Sequence, residues 1–150
     1  LGSGDPRYVA FFEGLAQRFP GRVAFRNGYD EDMAHLIEAG SDIFLMPSRY
    51  EPCGLNQMYS LRYGTIPIVR NTGGLADSVR HFDPALGVGT GCVFNDYDAP
   101  AARWAIGTTL DWYGAPQSWR RLMQNAMAQD FSWATQIAEY DSLYRRLLGA

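Results

Sequence analysis

The sequence predicts an α/β fold: a parallel sheet with helices on both faces and additional helices at the carboxyl end. Two observations carry this. Short apolar runs at 43–46, 66–69 and 92–94 sit between turn residues and read as buried strands. Stretches with helical spacing separate them at short intervals, the pattern that produces parallel strands joined by crossovers.

In order along the chain, Asp5 caps a first helix with Pro6 at its first position. Val9, Phe12, Ala16 and Phe19 follow helical spacing, and Pro20-Gly21 stops the run. Arg22–Arg26 reads as a strand. Asp30 caps a second helix with Met33, Leu36 and Ile37 on its buried face and Gly40 at its end. The strand Ile43–Met46 follows, then a helix from about Gly54 to Tyr63 with Leu55, Met58 and Tyr59 on one side. Gly64 ends it, and Ile66–Val69 is the next strand. Arg70–Gly74 reads as a loop and Leu75–Val79 as a short helix. Residues 83–91 are rich in Gly and Pro and read as irregular, with Cys92–Phe94 a last short strand. Helices at about 99–112, 116–128 and 132–148 finish the chain. The last carries the stripe Trp133, Ile137, Tyr140, Tyr144 and Leu147, read as core or interface.

At 150 residues, 47% of them apolar and 14% aromatic, the chain fits one folded domain rather than a disordered segment. The net charge of −3 with no basic run argues against non-specific nucleic-acid binding. No apolar stretch approaches the length of a membrane span. All 13 basic residues are arginine, so a lysine-bearing Walker loop is excluded and any bound phosphate must use arginine or backbone amides. Cys53 and Cys92 show no metal-ligand spacing and read as free thiols in a reducing compartment. The opening Leu1–Pro6 reads as the end of a strand turning into a helix, which suggests a piece of a longer protein.

The most informative segment is 47–59, Pro-Ser-Arg-Tyr-Glu-Pro-Cys-Gly-Leu-Asn-Gln-Met-Tyr. A buried strand ends, turns and feeds a helix, leaving Glu51 at the strand's carboxyl end, where ligands bind in open α/β sheets. Gly54 permits close backbone approach, and the amides from Gly54 to Gln57 are the unpaired donors of a new helix. A carboxylate beside such an anion site suits a neutral polyol carried on a phosphate. Arg49 faces Glu51 or a ligand, with a structural ion pair the expectation. Cys53 sits at a helix start that lowers a thiol's pKa, yet a packed bystander is the expected role. Thr72-Gly73-Gly74 is a second glycine-rich turn after a strand, hence a second possible anion site. Tyr29, after Asn27-Gly28, is placed like a base-stacking residue.

Taken together, these residues resemble the bacterial glycogen synthase and plant starch synthase family, retaining glucosyltransferases of the two-domain GT-B fold. The blocks that match are Leu-Gly-Ser-Gly-Asp at 1–5, Gly-Tyr-Asp-Glu at 28–31 and Met46–Tyr59. Further matches are Arg-Tyr-Gly-Thr-Ile-Pro-Ile-Val at 62–69, Thr-Gly-Gly-Leu-Ala-Asp-Ser-Val at 72–79 and Phe-Ser-Trp at 131–133. The resemblance implies a Rossmann-like, carboxyl-terminal domain over 1–150 that binds ADP-glucose or ADP and needs no cofactor or metal. It makes Glu51 the catalytic carboxylate at the donor glucose and puts the amides around Leu55 and Asn56, in the Cys53-Gly54 turn, on the diphosphate. Tyr29 flanks adenine, and Tyr59 stands where many GT-B enzymes bind ribose through a second Glu. Asn56 replaces the Thr of many bacterial members.

The family's Lys-x-Gly-Gly-Leu loop lies in an amino-terminal domain and its Arg/Lys phosphate pair just upstream of residue 1. The implied reaction transfers glucose to an α-1,4-glucan with retention, in the bacterial cytoplasm or a plant plastid. The chain alone is expected to be inactive, with its helix at about 132–148 packing on the other domain. Two alternatives are a nucleotide-sugar isomerase of GT-B type and a non-catalytic binding module.

Overall fold

A computed structural model describes residues 1–149, which form two compact units, 1–40 and 41–149. The first holds helices α1 (Pro6–Arg18) and α2 (Glu31–Ala39). Asp5 caps α1, its carboxylate accepting from the Arg7 amide at 2.9 Å, with Pro6 at the first position. Asp30 caps α2, accepting from the Met33 amide at 3.0 Å and pairing with Arg26 at 3.1 Å. Residues 22–26 do not form the expected strand. The Arg22 and Val23 amides bond back to the Phe19 carbonyl, so the turn consumes two of the segment's five donors. What remains is one parallel bridge, Gly2 to Asn27. The expected buried face of α2 also differs: Met33, Leu36 and Ile37 are exposed, and Glu38 is the buried residue of that helix.

The second unit is built on a parallel sheet of order β1-β2-β3, comprising β1 (Ile43–Met46), β2 (Ile66–Arg70) and β3 (Cys92–Phe94). Ile43 pairs with Ile66 and Met46 with Val69, while Ile68 pairs with Cys92 and Arg70 with Phe94. β2 is buried at Ile66, Pro67, Ile68 and Val69 in succession, as a strand covered on both faces must be. A proline in a central strand ordinarily costs a ladder bond. Here the Ile66 amide bonds Asp42 on the β1 side, so the next position along faces β3. Pairing with β3 starts only at Ile68, and Pro67 removes nothing.

Around the sheet lie α3 (Asn56–Tyr63), α4 (Gly73–Ser78), α5 (Ala99–Tyr113) and α6 (Pro116–Met127), followed by α7 (Trp133–Leu148). The core joins Leu61, Ile66, Ile68, Val69, Leu75, Phe82, Phe94, Trp112 and Leu122. Asp98 caps α5, accepting from the Ala101 amide at 2.8 Å. The loop 80–91 is ordered rather than loose: Asn125 donates to the Gly87 and Gly89 carbonyls at 2.9 and 3.0 Å, and Asp83 accepts from the Ala85 and Leu86 amides.

Three local expectations are corrected. α3 begins at Asn56, after a turn at 52–55, and buries Gln57, Ser60 and Leu61 rather than Leu55, Met58 and Tyr59. α4 begins at Gly73, so its two glycines form a first turn instead of a loop. On α7 the stripe Trp133, Ile137, Tyr140, Tyr144 and Leu147 is exposed and no residue of that helix is buried, so of the two readings, core or interface, the core one is excluded.

Candidate functional site

Because the strands are parallel, Met46, Arg70 and Phe94 end on one edge of the sheet, and the loops that follow them meet there. Arg70 staples them. Its guanidinium donates to the carbonyls of Ser48 at 2.9 Å, of Arg49, and of Asn95 at 3.4 Å. Asn71 donates its side-chain amide to Asn95 at 2.9 Å and its backbone amide to the Phe94 carbonyl at 2.7 Å. Neither role was read from the sequence, where Arg70 looked like the start of a loop.

The two glycine-rich turns lock together. The Gly74 amide donates to the Glu51 carbonyl at 3.0 Å, fixing the backbone that carries the candidate carboxylate. Gly73 has φ +45°, and a Cβ there would overlap the Glu51 carbonyl. At Gly74 a Cβ would stand 2.6 Å from the Cys53 Cα and overlap its carbonyl. Only glycine lets the backbones approach this closely. The sequence reading offered Thr72-Gly73-Gly74 as an anion site; the structure gives the two glycines a packing task. Thr72 precedes α4 without capping it through its side chain.

Gln57 secures the same turn from inside and is fully buried at 0% exposure. Its Nε2 donates to the carbonyls of Cys53 at 3.1 Å and Gly54 at 2.9 Å and reaches the Ser78 hydroxyl at 3.1 Å. Ser78 in turn donates to the Gly74 carbonyl at 2.6 Å. The sequence reading passed over Gln57. Its signal was the 57, 60, 61 spacing, a helical face that the brighter Leu55 and Tyr59 masked.

With its main chain held, the Glu51 side chain makes no ion pair or hydrogen bond among the described residues. Gly54, at φ +73°, turns the chain into α3. The amides of Gly54, Leu55, Asn56 and Gln57 have no protein acceptor among the described residues, and Leu55 supplies no side-chain cap. Gln57 is buried, so the donors of Gly54, Leu55 and Asn56 are the ones that form an anion-binding surface at the helix start, and Glu51 is a carboxylate four residues before Leu55. Asn56 and Tyr59 lie on the exposed side of α3. Tyr29 belongs to the first unit, follows Gly28 and is 85% exposed.

Arg49 forms no ion pair with Glu51 among the described residues; its carbonyl instead serves Arg70. Cys53 is exposed, not packed, because the turn that buries Gln57 points the thiol outward into a cleft of about 580 Å³ with Met58, Asp77 and Trp133. Cys92 is buried in the sheet, and burial pushes its thiol pKa up. No group of three or more His, Cys, Asp or Glu among the described residues is arranged to hold a metal. No helix among them is long and apolar enough to cross a membrane.

The carboxyl edge of this α/β sheet thus carries a helix start with free amides and a carboxylate without a partner among the described residues. The chain belongs to the glycosyl transferases group 1 family, whose profile matches residues 16–126, and its sheet has the GT-B architecture. It is similar to the glycogen synthase of Anaeromyxobacter sp. (strain K), with 54% identity over 147 residues, 98% of this chain and 31% of that protein. The glycogen synthase of Koribacter versatilis (strain Ellin345) is 50% identical over 146 residues, 97% of this chain and 30% of that protein. Among solved structures, the catalytic domain of Arabidopsis thaliana starch synthase IV, bound to ADP and acarbose, matches with a TM-score of 0.82 and 37% identity. That match covers 99% of this chain and 31% of the other. Sucrose-phosphate synthase from Thermosynechococcus elongatus matches at a TM-score of 0.65 and 27% identity, covering 98% of this chain and 37% of the other. The chain thus spans about a third of the length of these relatives.

Proposed function

We propose that this chain is the carboxyl-terminal, nucleotide-sugar-binding part of a glycogen or starch synthase. The enzyme transfers glucose from ADP-glucose to the non-reducing end of an α-1,4-glucan with retention. The observation that carries this reading is the row of free amides from Gly54 to Asn56 beside an unpaired Glu51, in a chain about half identical to glycogen synthases. The amides take the diphosphate, and their charge complement grows as the phosphate departs. Glu51 holds hydroxyls of the donor glucose. Cys53, Gly54, Leu55 and Asn56 line the phosphate side and Tyr59 the nucleoside side, and Thr72 with Gly73 and Gly74 fixes the wall behind Glu51. The starch synthase with ADP bound favours an adenine nucleotide over other donors.

The glucan 4-hydroxyl attacks from the face the diphosphate leaves, which gives retention. The α7 stripe is the surface for an amino-terminal domain that supplies the remaining donor contacts, and a bacterial cytoplasm or plastid is the compartment. The chain on its own binds ADP weakly and extends no glucan. The test is incorporation of labelled glucose into glycogen by the full-length protein, with ADP-glucose and UDP-glucose compared. The reading expects ADP-glucose to be the better donor; turnover of a nucleotide sugar with no acceptor, giving an isomer, would overturn it.

A further inference from the structure

We propose that the outward face of α5 is a second carbohydrate site, a platform that holds an α-glucan chain apart from the residues assigned to the nucleotide sugar. The assignment of the glucan as α-linked rests on the proposed acceptor. Trp104 is 53% exposed, although α5 buries Ala105, Thr109 and Trp112 to pack on the sheet. The exposed indole is nevertheless fixed. It stacks on the His81 ring at 5.8 Å with an interplanar angle of 13°. His81 is held in turn, its Nδ1 accepting from the Val93 amide at 3.1 Å and its ring meeting buried Trp112 edge-on at 5.3 Å. Burial lowers the His81 pKa, which keeps that nitrogen an acceptor at neutral pH.

Beside the indole lies a groove of about 710 Å³, lined also by Pro100, Arg103, Gly107, Thr108 and Asp111. That size suits a small ligand. Gly107 forms the open floor one turn on from Trp104. It lies mid-helix, has no positive φ, and a Cβ there would meet nothing within 4 Å. Glycine is a poor helix former, and packing does not explain it here; room for a ligand does.

The chemistry of the groove selects the ligand class. Arg103 and Asp111 carry one charge of each sign, and neither pairs with an opposite charge among the described residues. A phosphorylated ligand would be repelled by Asp111. A neutral sugar meets every group: the C–H face of a glucose ring lies on the flat indole. Its hydroxyls donate to the carboxylate and accept from the guanidinium fork. Because the indole is already immobilised, binding orders little.

The test is affinity electrophoresis of the full 150-residue chain through soluble glycogen, with cellohexaose as competitor. Trp104→Ala removes the platform. Gly107→Gln fills the groove without touching the core, and a thermal melt confirms that this variant stays folded. The expected result is retardation of the parent chain, at least tenfold weaker binding for both variants, and no competition by cellohexaose. An unretarded parent, variants that bind like the parent, or Trp104-dependent self-association without glucan binding would overturn the inference, as would effective competition by cellohexaose. Glucose incorporation by the full-length protein is scored separately. Incorporation with Trp104-independent glycogen binding refutes the platform and leaves the proposed function standing. Trp104-dependent binding without incorporation does the reverse.

Discussion

Replacing Gly74 by alanine probes the contact that holds the candidate carboxylate in place. The new methyl would overlap the Cys53 carbonyl and crowd its Cα, both backbone atoms that no rotamer change can move aside. Overpacking of this kind costs about 1–3 kcal/mol. Pushing the turn away also breaks the 3.0 Å bond from the Gly74 amide to the Glu51 carbonyl, worth about 1 kcal/mol. Better helix propensity in the first turn of α4 returns up to about 1 kcal/mol. The net expectation is a loss of about 1–3 kcal/mol. Gly107→Ala supplies the control, because the same chemical change there meets open space and should gain about 0.5–1 kcal/mol. Urea denaturation of the parent and both variants therefore yields midpoints on opposite sides of the parent. A Gly74→Ala midpoint at or above the parent, moving with Gly107→Ala, refutes the claim that the two turns are locked by glycine contact.

Three further outcomes follow from the same geometry. Gln57→Leu strips the donor from two carbonyls and the Ser78 hydroxyl in a fully buried position, and should lower the unfolding free energy by about 2–3 kcal/mol; an unchanged urea midpoint contradicts that role. A thiol reagent should titrate one cysteine per native chain, Cys53, and reach Cys92 only on unfolding; rapid labelling of both, or of neither, goes against the burial described. Asp130 accepts from the Thr135 hydroxyl at 2.7 Å and the Ser132 amide at 2.8 Å, which holds its carboxyl down from 3.8 to about 2. A depressed carboxyl contributes stability above its unfolded value and loses it as pH falls through the folded one. The start of α7 should therefore loosen between about pH 4 and 2, and Asp130→Ala should abolish that step in a circular-dichroism titration.

The strand at 66–69 was legible because a strand buried on both faces leaves a continuous apolar run; 43–46 carries a similar run, yet none of it is fully buried and Leu45 is exposed. Asp5 and Asp30 were legible because a cap is a local event. Glu51 and Gly54 were placed correctly at the turn for the same reason: strand end, proline, glycine and helix follow within a few residues. What failed was non-local. Arg22–Arg26 has strand-like residues, but the turn after α1 takes its first amides. The buried side of α3 is chosen by Ser78 and α6, not by its own apolar residues, so Gln57 faces inward while Leu55 and Tyr59 face out. The close approach of Gly73 and Gly74 to the Glu51 and Cys53 backbone was likewise invisible, because a phosphate and a neighbouring backbone demand the same absent side chain. The exposed face of α2 carries an apolar pattern that sequence alone reads as burial.

We propose that Glu51, held from behind by Gly74 and followed by the free amides at the start of α3, acts on the donor sugar in the transition state. The most direct measurement is turnover of the full-length protein with Glu51→Ala, alongside its affinity for ADP. Loss of a charged hydrogen bond made in the transition state corresponds to about 2–4 kcal/mol, or roughly thirty- to a thousand-fold in turnover, with ADP affinity preserved because the amides remain. Near-normal glucan extension by Glu51→Ala would contradict the account.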